Sequence, residues 1–292
     1  MKNTNKKPLV SVVMPVRNVG NFILEAIASI LNQTYKKLEI IVVDDASTDD
    51  TYKILKSLNS KRIKIIRNKH KLGVTSSANA ALKRAKGDFI ARMDGDDVAD
   101  PKRIEKQIAF LLKNPEVVAV GGQCKLINSE GIQTGIKTFP TSDKKIKEMI
   151  FSNVPVQQPA LMVAVGRLPK NFAWYDENYE SAEELELLFK LFQFGKIANL
   201  KDFVLKYRIH GENTSLKNPK KTFFLTLKTR LASIKKYNYR PSIKSILITL
   251  AQTVVILMIP ESSIYPLYTL IRGIYKFDVN SIYKKDFKLA EG

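Results

Sequence analysis

In 292 residues there is a single cysteine, Cys124, and there are two histidines, His70 and His210. One thiol cannot form an intrachain disulfide, which excludes a stapled secreted scaffold and makes a reducing compartment the default. The same scarcity rules out multi-cysteine zinc and iron–sulfur sites, and any Ser-His-Asp arrangement would depend on one of two imidazoles. With 13 glycines and 12 prolines, collagenous and linker-dominated chains are also excluded. No apolar run is long enough to span a bilayer. Residues 245–259 are uncharged, but these 15 residues would make a helix of about 22 Å against a hydrocarbon core of about 30 Å. The polar, lysine-bearing stretch 1–8 is followed only by the short apolar run 9–13, so no signal peptide is legible and export is not expected. Oxygen-ligand chemistry remains open.

What is present is a hydrophobic content of 45%, enough for one large or two modest domains that bury about three quarters of the unfolded surface. Acidic charge is in deficit: 48 Lys and Arg face 28 Asp and Glu, a net +20. Such a field attracts anions, whether nucleic acid, phosphorylated small molecules or an acidic membrane. The excess is concentrated, since residues 217–292 hold 14 basic and 4 acidic side chains. The chain therefore divides into a globular part, 1–216, and a basic, apolar, helical C-terminal region, 217–292.

Hydrophobic periodicity predicts strands at 9–14, 38–43, 63–66 and 88–93, alternating with helices at 22–31, 51–58 and 74–85. Ser47-Thr48-Asp49-Asp50 fits a capping box for the second helix. Continuously apolar strands between helices imply an α/β fold with a parallel sheet covered on both faces. Ligands bind such sheets beyond the carboxyl ends of the strands, and Asp44-Asp45 and Asp94-Gly95-Asp96-Asp97 both fall on that rim. Asp100-Pro101 predicts a helix to residue 112, Asp as N-cap and Pro at the first position. Further on come a strand at 117–127, a helix at 144–151, a strand at 160–163, a helix at 182–194 and a strand at 197–207.

Three carboxylates within four residues repel one another, and a hard divalent cation would offset that repulsion. Mn²⁺ or Mg²⁺ takes one or two carboxylates and completes its shell with water and phosphate oxygens, so Asp-Xaa-Asp at the rim suggests a metal-bridged diphosphate. A solvated acidic turn would look the same in isolation. Asp44-Asp45 would equally suit a helix-initiating turn.

The joint pattern is more specific. Ser11-Val12-Val13-Met14-Pro15, Ile41-Val42-Val43-Asp44-Asp45-Ala46-Ser47-Thr48-Asp49 and Ala91-Arg92-Met93-Asp94-Gly95-Asp96-Asp97 are followed by Pro101-Lys102-Arg103-Ile104-Glu105-Lys106-Gln107. Downstream stand Tyr175-Asp176-Glu177, Ala182-Glu183-Glu184-Leu185-Glu186-Leu187 and Tyr207-Arg208-Ile209-His210 ahead of Asn213-Thr214-Ser215. In that order, over roughly residues 9–215, the chain resembles the family 2 glycosyltransferases, which have the GT-A fold. The resemblance implies a nucleotide-binding half at about 9–115 and an acceptor half at about 116–216.

It further implies that Asp45 accepts from the base of the nucleotide, usually uridine, that Asp96 ligates the metal and that Asp94 supports ribose or metal. The family draws its base, which inverts the anomeric carbon, from an Asp in a Glu-Asp pair opening a helix. The matching position is Glu184, after Glu183. Because Glu is one methylene longer, either the pocket is reshaped or Glu183 takes the role. Pro15, Arg17 and Asn79 are candidate nucleotide contacts, although helix capping would equally explain Asn79. Arg208 is a candidate diphosphate donor and His210 a further candidate metal ligand, while His70 and Cys124 are expected to be structural.

The partners implied are a nucleotide sugar, a glycan or lipid-linked acceptor and no nucleic acid. The apolar C-terminal segment, with Tyr265, Tyr268 and Tyr275 beyond it, would either pack on the globular part or dock on an anionic membrane beside Lys235, Lys236, Arg240 and Lys244. A cytoplasmic protein, peripheral on the inner face of the cell membrane, is expected. The missing Gln-Xaa-Xaa-Arg-Trp motif argues against processive synthesis. A sugar nucleotidyltransferase would carry a glycine-rich loop where Pro15-Val16-Arg17-Asn18 stands, and a nucleic-acid binder a recognition module that does not appear.

Overall fold

The computed structural model describes residues 7–179, 182–211, 218–264 and Leu267. β1 (Val10–Val16), β2 (Leu38–Asp44), β3 (Ile63–Arg67) and β4 (Phe89–Arg92) alternate with α1 (Ile23–Leu31), α2 (Thr51–Ser57) and α3 (Val74–Leu82). These four strands pair in parallel in the order β3-β2-β1-β4, with Val10 opposite both Leu38 and Phe89. The chain continues through β5 (Val98–Ala99), α4 (Arg103–Lys113), β6 (Val117–Ile127), β7 (Gln133–Lys137), α5 (Asp143–Met149), β8 (Met162–Ala164), α6 (Glu183–Leu191) and β9 (Lys196–Arg208). It then forms α7 (Pro219–Lys236) and α8 (Ile243–Met258).

The sheet extends from β4 through β8, β6 and β9 to β5, and β7 pairs with β6. The expectation of an all-parallel sheet holds only for the first four strands, since β8 runs antiparallel to both β4 and β6. The reason is local. A short 3-10 turn, Gln158–Ala160, delivers the chain to the rim where β4 ends, and Arg92 N donates to Leu161 O there. β8 can then only run back down the sheet.

Both faces are covered, which is why the parallel strands are apolar without alternation. Val12, Met14, Ile40 and Val42 pack under α1 and α4, while Val13, Ile41 and Val43 pack against α3, α5 and α6. Two predicted boundaries move and one predicted cap does not form. Ser47 and Asp49 form no capping box because they stitch the neighbouring loop: Ser47 Oγ accepts from Asn18 N, and Asp49 Oδ2 from Gly20 N. α3 stops at Leu82 rather than Ala85, since Lys86 N and Gly87 N are captured by Glu39 and Ser11. α4 starts at Arg103, because Asp100 Oδ1 closes a turn on Lys102 N instead of capping the helix.

The C-terminal helices pack on the second half of the sheet domain. Arg230 Nε donates to Ile150 O at 3.1 Å, Tyr239 Oη to Lys147 O at 2.6 Å and Thr249 Oγ1 to Phe151 O at 2.9 Å. Tyr265, Tyr268, Tyr275 and Asn213-Thr214-Ser215 lie outside the described residues.

Candidate active site

Parallel pairing brings the ends of β1, β2 and β4 to one rim. Asp45 N donates to Val16 O at 2.8 Å, and Arg17 Nη1 donates to Asp45 O at 2.7 Å. A Cβ on Gly95 would lie 2.7 Å from Val16 Cγ1, so the acidic turn after β4 closes against the end of β1 only because residue 95 has no side chain. Pro15 is buried in β1 opposite Val43.

Asp45 is 3% exposed and holds the loop that follows β3. Its Oδ1 accepts from Asn68 Nδ2 and Leu72 N, both at 2.8 Å, and its Oδ2 accepts from Gly73 N at 2.9 Å. Burial disfavours the charge, yet these donors outweigh it and keep the carboxyl below its ordinary range.

Asp94, Asp96 and Asp97 place one carboxylate oxygen each within 4.8 Å of one another. Burial, then the charge of Asp96, raises the carboxyl of Asp94, although Arg92 Nη2 lies 2.8 Å from its Oδ1 and opposes the shift. Asp97 is raised further, by burial and then by both neighbouring carboxylates. Its Oδ1 accepts from Arg208 N, while its buried Oδ2 has no partner among the described residues. His210 Nε2 stands 3.0 Å from Asp96 Oδ2. Hard oxygen donors, one of them orphaned, together with an imidazole suit Mn²⁺ or Mg²⁺.

α6 begins with two acids. Ala182 adopts a left-handed turn at φ 64° and directs the chain into Glu183 and Glu184, where the helix dipole favours negative charge. Burial, then Glu183, pushes the carboxyl of Glu184 up to about 8, and Asp94 adds to the shift while Lys137 opposes it. Glu183 is likewise raised, with burial first, Arg92 opposing and Asp94 adding. Both glutamates thus feel Asp94, which places them beside the acidic turn.

Two sequence candidates have other partners. Asn79 lies inside α3, where it caps nothing: its Nδ2 donates to Tyr175 O and Glu177 Oε1, and its Oδ1 accepts from Tyr175 N. It ties α3 to the segment at Tyr175 and Glu177. Arg208 is buried, with its guanidinium on Asp96 O, Asn128 O, Ser129 O and Glu25 Oε2. That places it as a brace beneath the rim.

Sequence reasoning gave no role to Arg92, Arg103 or Tyr175. Arg103 is fully buried, donating to Arg92 O at 2.7 Å and to Gln107 Oε1 at 3.2 Å. Burial pulls its pKa down to about 10 against the pull of Asp97 and Asp94. It supports the acidic turn from below. The signal was available, since an Arg on the apolar face of an amphipathic helix needs buried acceptors.

Residues 11–163 match the family model described as Glycosyl transferase family 2. The chain belongs to that family, and its fold is GT-A. It is similar to an uncharacterized glycosyltransferase of Haemophilus influenzae, at 36% identity over 219 residues, covering 71% of this chain and 68% of that one. It is also 30% identical over 241 residues to a chondroitin synthase of Pasteurella multocida, covering 80% of this chain but 24% of that much longer one. Among solved structures, S. aureus TarS 1–349 in complex with UDP aligns at a TM-score of 0.62 and 20% identity, covering 82% and 69% of the two chains. The mannosyltransferase PcManGT of Pyrobaculum calidifontis, in complex with GDP-Man and Mn²⁺, aligns at 0.58 and 15% identity, covering 92% and 85%. Among the described residues, no helix is long and apolar enough to cross a membrane.

Proposed function

We propose that the protein transfers one hexose per encounter from a nucleotide-diphosphate sugar, in the first instance a UDP-sugar, to a hydroxyl of a glycan or lipid-linked glycan. The transfer inverts the anomeric carbon and serves surface-polysaccharide assembly on the cytoplasmic side of the membrane. The observation that carries this reading is the juxtaposition of a three-carboxylate turn, one oxygen of which is orphaned, with a glutamate whose carboxyl is raised towards neutrality.

The nucleoside end of the donor lies over Pro15 and Arg17. Asp45, held ionised by the donors of the loop after β3, accepts from a base N–H. Asp94, Asp96 and His210, with Asp97 behind them, would hold a divalent cation, and the chemistry it would supply is neutralisation of negative charge on the diphosphate. Glu184 accepts the proton of the acceptor hydroxyl on the face opposite the leaving group, with Glu183 as the alternative base. Arg92 and Arg103 keep the acidic turn in place, while Arg208 adds positive potential from beneath.

The test is a panel of nucleotide sugars with Mn²⁺ or Mg²⁺, followed by release of the nucleoside diphosphate. One donor should turn over with metal, and Asp96→Ala should lower that rate at least about a hundredfold. If no donor is bound or consumed, or Asp96→Ala leaves the rate unchanged, the reading fails.

A further inference from the structure

α8 is amphipathic in the reverse of the usual sense. A helix on a water-facing surface turns its apolar stripe inward. Here the buried side is polar: Ser245 and Thr249 are 2% and 4% exposed, and Thr249 Oγ1 bonds Phe151 O. Ile243, Leu247, Leu250 and Leu257, spaced along one stripe, are 78%, 61%, 58% and 64% exposed. No acidic residue lies between Ile243 and Met258, whereas Lys235, Arg240 and Lys244 near its start are exposed cations.

We propose that the outward face of α8 seats the protein on an anionic lipid bilayer. At 16 residues, about 24 Å, the helix is too short to cross the hydrocarbon but suited to lying in the interface with its apolar side down. The exposed cations meet anionic headgroups, as the charge excess of residues 217–292 requires of a partner. This face of α8 supplies a surface for the proposed membrane-side placement and is independent of the donor chemistry.

The full chain is sedimented with vesicles of phosphatidylcholine alone or carrying about one third phosphatidylglycerol. Wild type should pellet with the anionic vesicles and stay in solution with the neutral ones. Leu250→Glu/Leu257→Glu should weaken binding at least about tenfold, and Lys235→Ser/Arg240→Ser/Lys244→Ser should do the same. An unchanged thermal midpoint shows that each variant is folded, whether or not any sugar donor is turned over. No binding by wild type, or undiminished binding by the leucine variant, overturns the proposal. So does a vesicle-free dimer that Leu250→Glu/Leu257→Glu splits, because a second copy would then be what covers the face.

Discussion

Glu184 carries the sharpest consequence at the scale of one residue. The groups facing it include Glu183 on its own helix, Asp94 just after β4, Lys137 on β7, Arg230 on α7 and Tyr175. With its carboxyl raised to about 8, the free enzyme holds the base mostly protonated at neutral pH. kcat/KM should therefore climb with pH towards a limb near 8, and the limb should move to lower pH at saturating metal, because a cation at Asp94 favours the carboxylate. The stability sign is opposite. The unfolded side chain loses its proton near its ordinary pKa while the folded one retains it, so this residue costs stability increasingly as pH rises from the ordinary value to about 8. Glu184→Gln should abolish turnover yet raise the thermal midpoint at pH 8 relative to wild type, with little difference at pH 4. A Gln variant that keeps wild-type kcat would remove Glu184 from the reaction.

At the scale of an element, α6 is held from the C-terminal region. Glu186, one half-turn beyond Glu184, is fully buried. Its Oε1 accepts from Lys236 Nζ at 3.0 Å and from Tyr237 Oη, and Lys190 Nζ lies 3.2 Å from Oε2. Glu186→Ala leaves those donors facing an empty site and should cost about 3 kcal/mol in denaturant unfolding, against about 1 kcal/mol for Tyr237→Phe. The donor KM should hold while kcat falls, and Glu186→Gln should restore part of both. If kcat survives Glu186→Ala, the anchor does not position α6.

This anchor also marks how far the sequence could be read. Strand runs and acids at their ends are local patterns, so the rim with Asp45 and the turn at Asp94 were legible in the sequence. Glu186 meeting Tyr237, Asn79 meeting Tyr175 and Arg103 beneath Arg92 are long-range or buried pairings that no local period encodes. The failed capping box has the same origin, since Ser47 and Asp49 satisfy the backbone of Asn18 and Gly20, which the sequence placed in another loop. The antiparallel β8 was illegible because three apolar residues carry no direction.

For the whole molecule, cation, donor and proton are linked. Asp94 and Asp97 are raised above the usual carboxylate range, so without a cation their shared site costs stability as pH rises, the unfolded chain giving up those protons first. A divalent cation bound there would remove this penalty by holding the ionised form, and would release protons as it did so. The net +20 of the chain adds a long-range attraction for an anionic nucleotide, one that salt weakens. Each ligand alone, at roughly a hundred times its dissociation constant, should stabilise the fold by about 2.7 kcal/mol, and Mn²⁺ and a nucleoside diphosphate together should raise the thermal midpoint by more than the sum of their separate shifts. The metal-dependent part should shrink as pH is lowered below neutrality, because carboxylates raised above their ordinary pKa regain protons there. Differential scanning with Mn²⁺ and nucleotide over that fall in pH decides it. A metal shift independent of pH, or one that persists in Asp96→Ala, would mean that the cation binds somewhere other than the acidic turn at the end of β4.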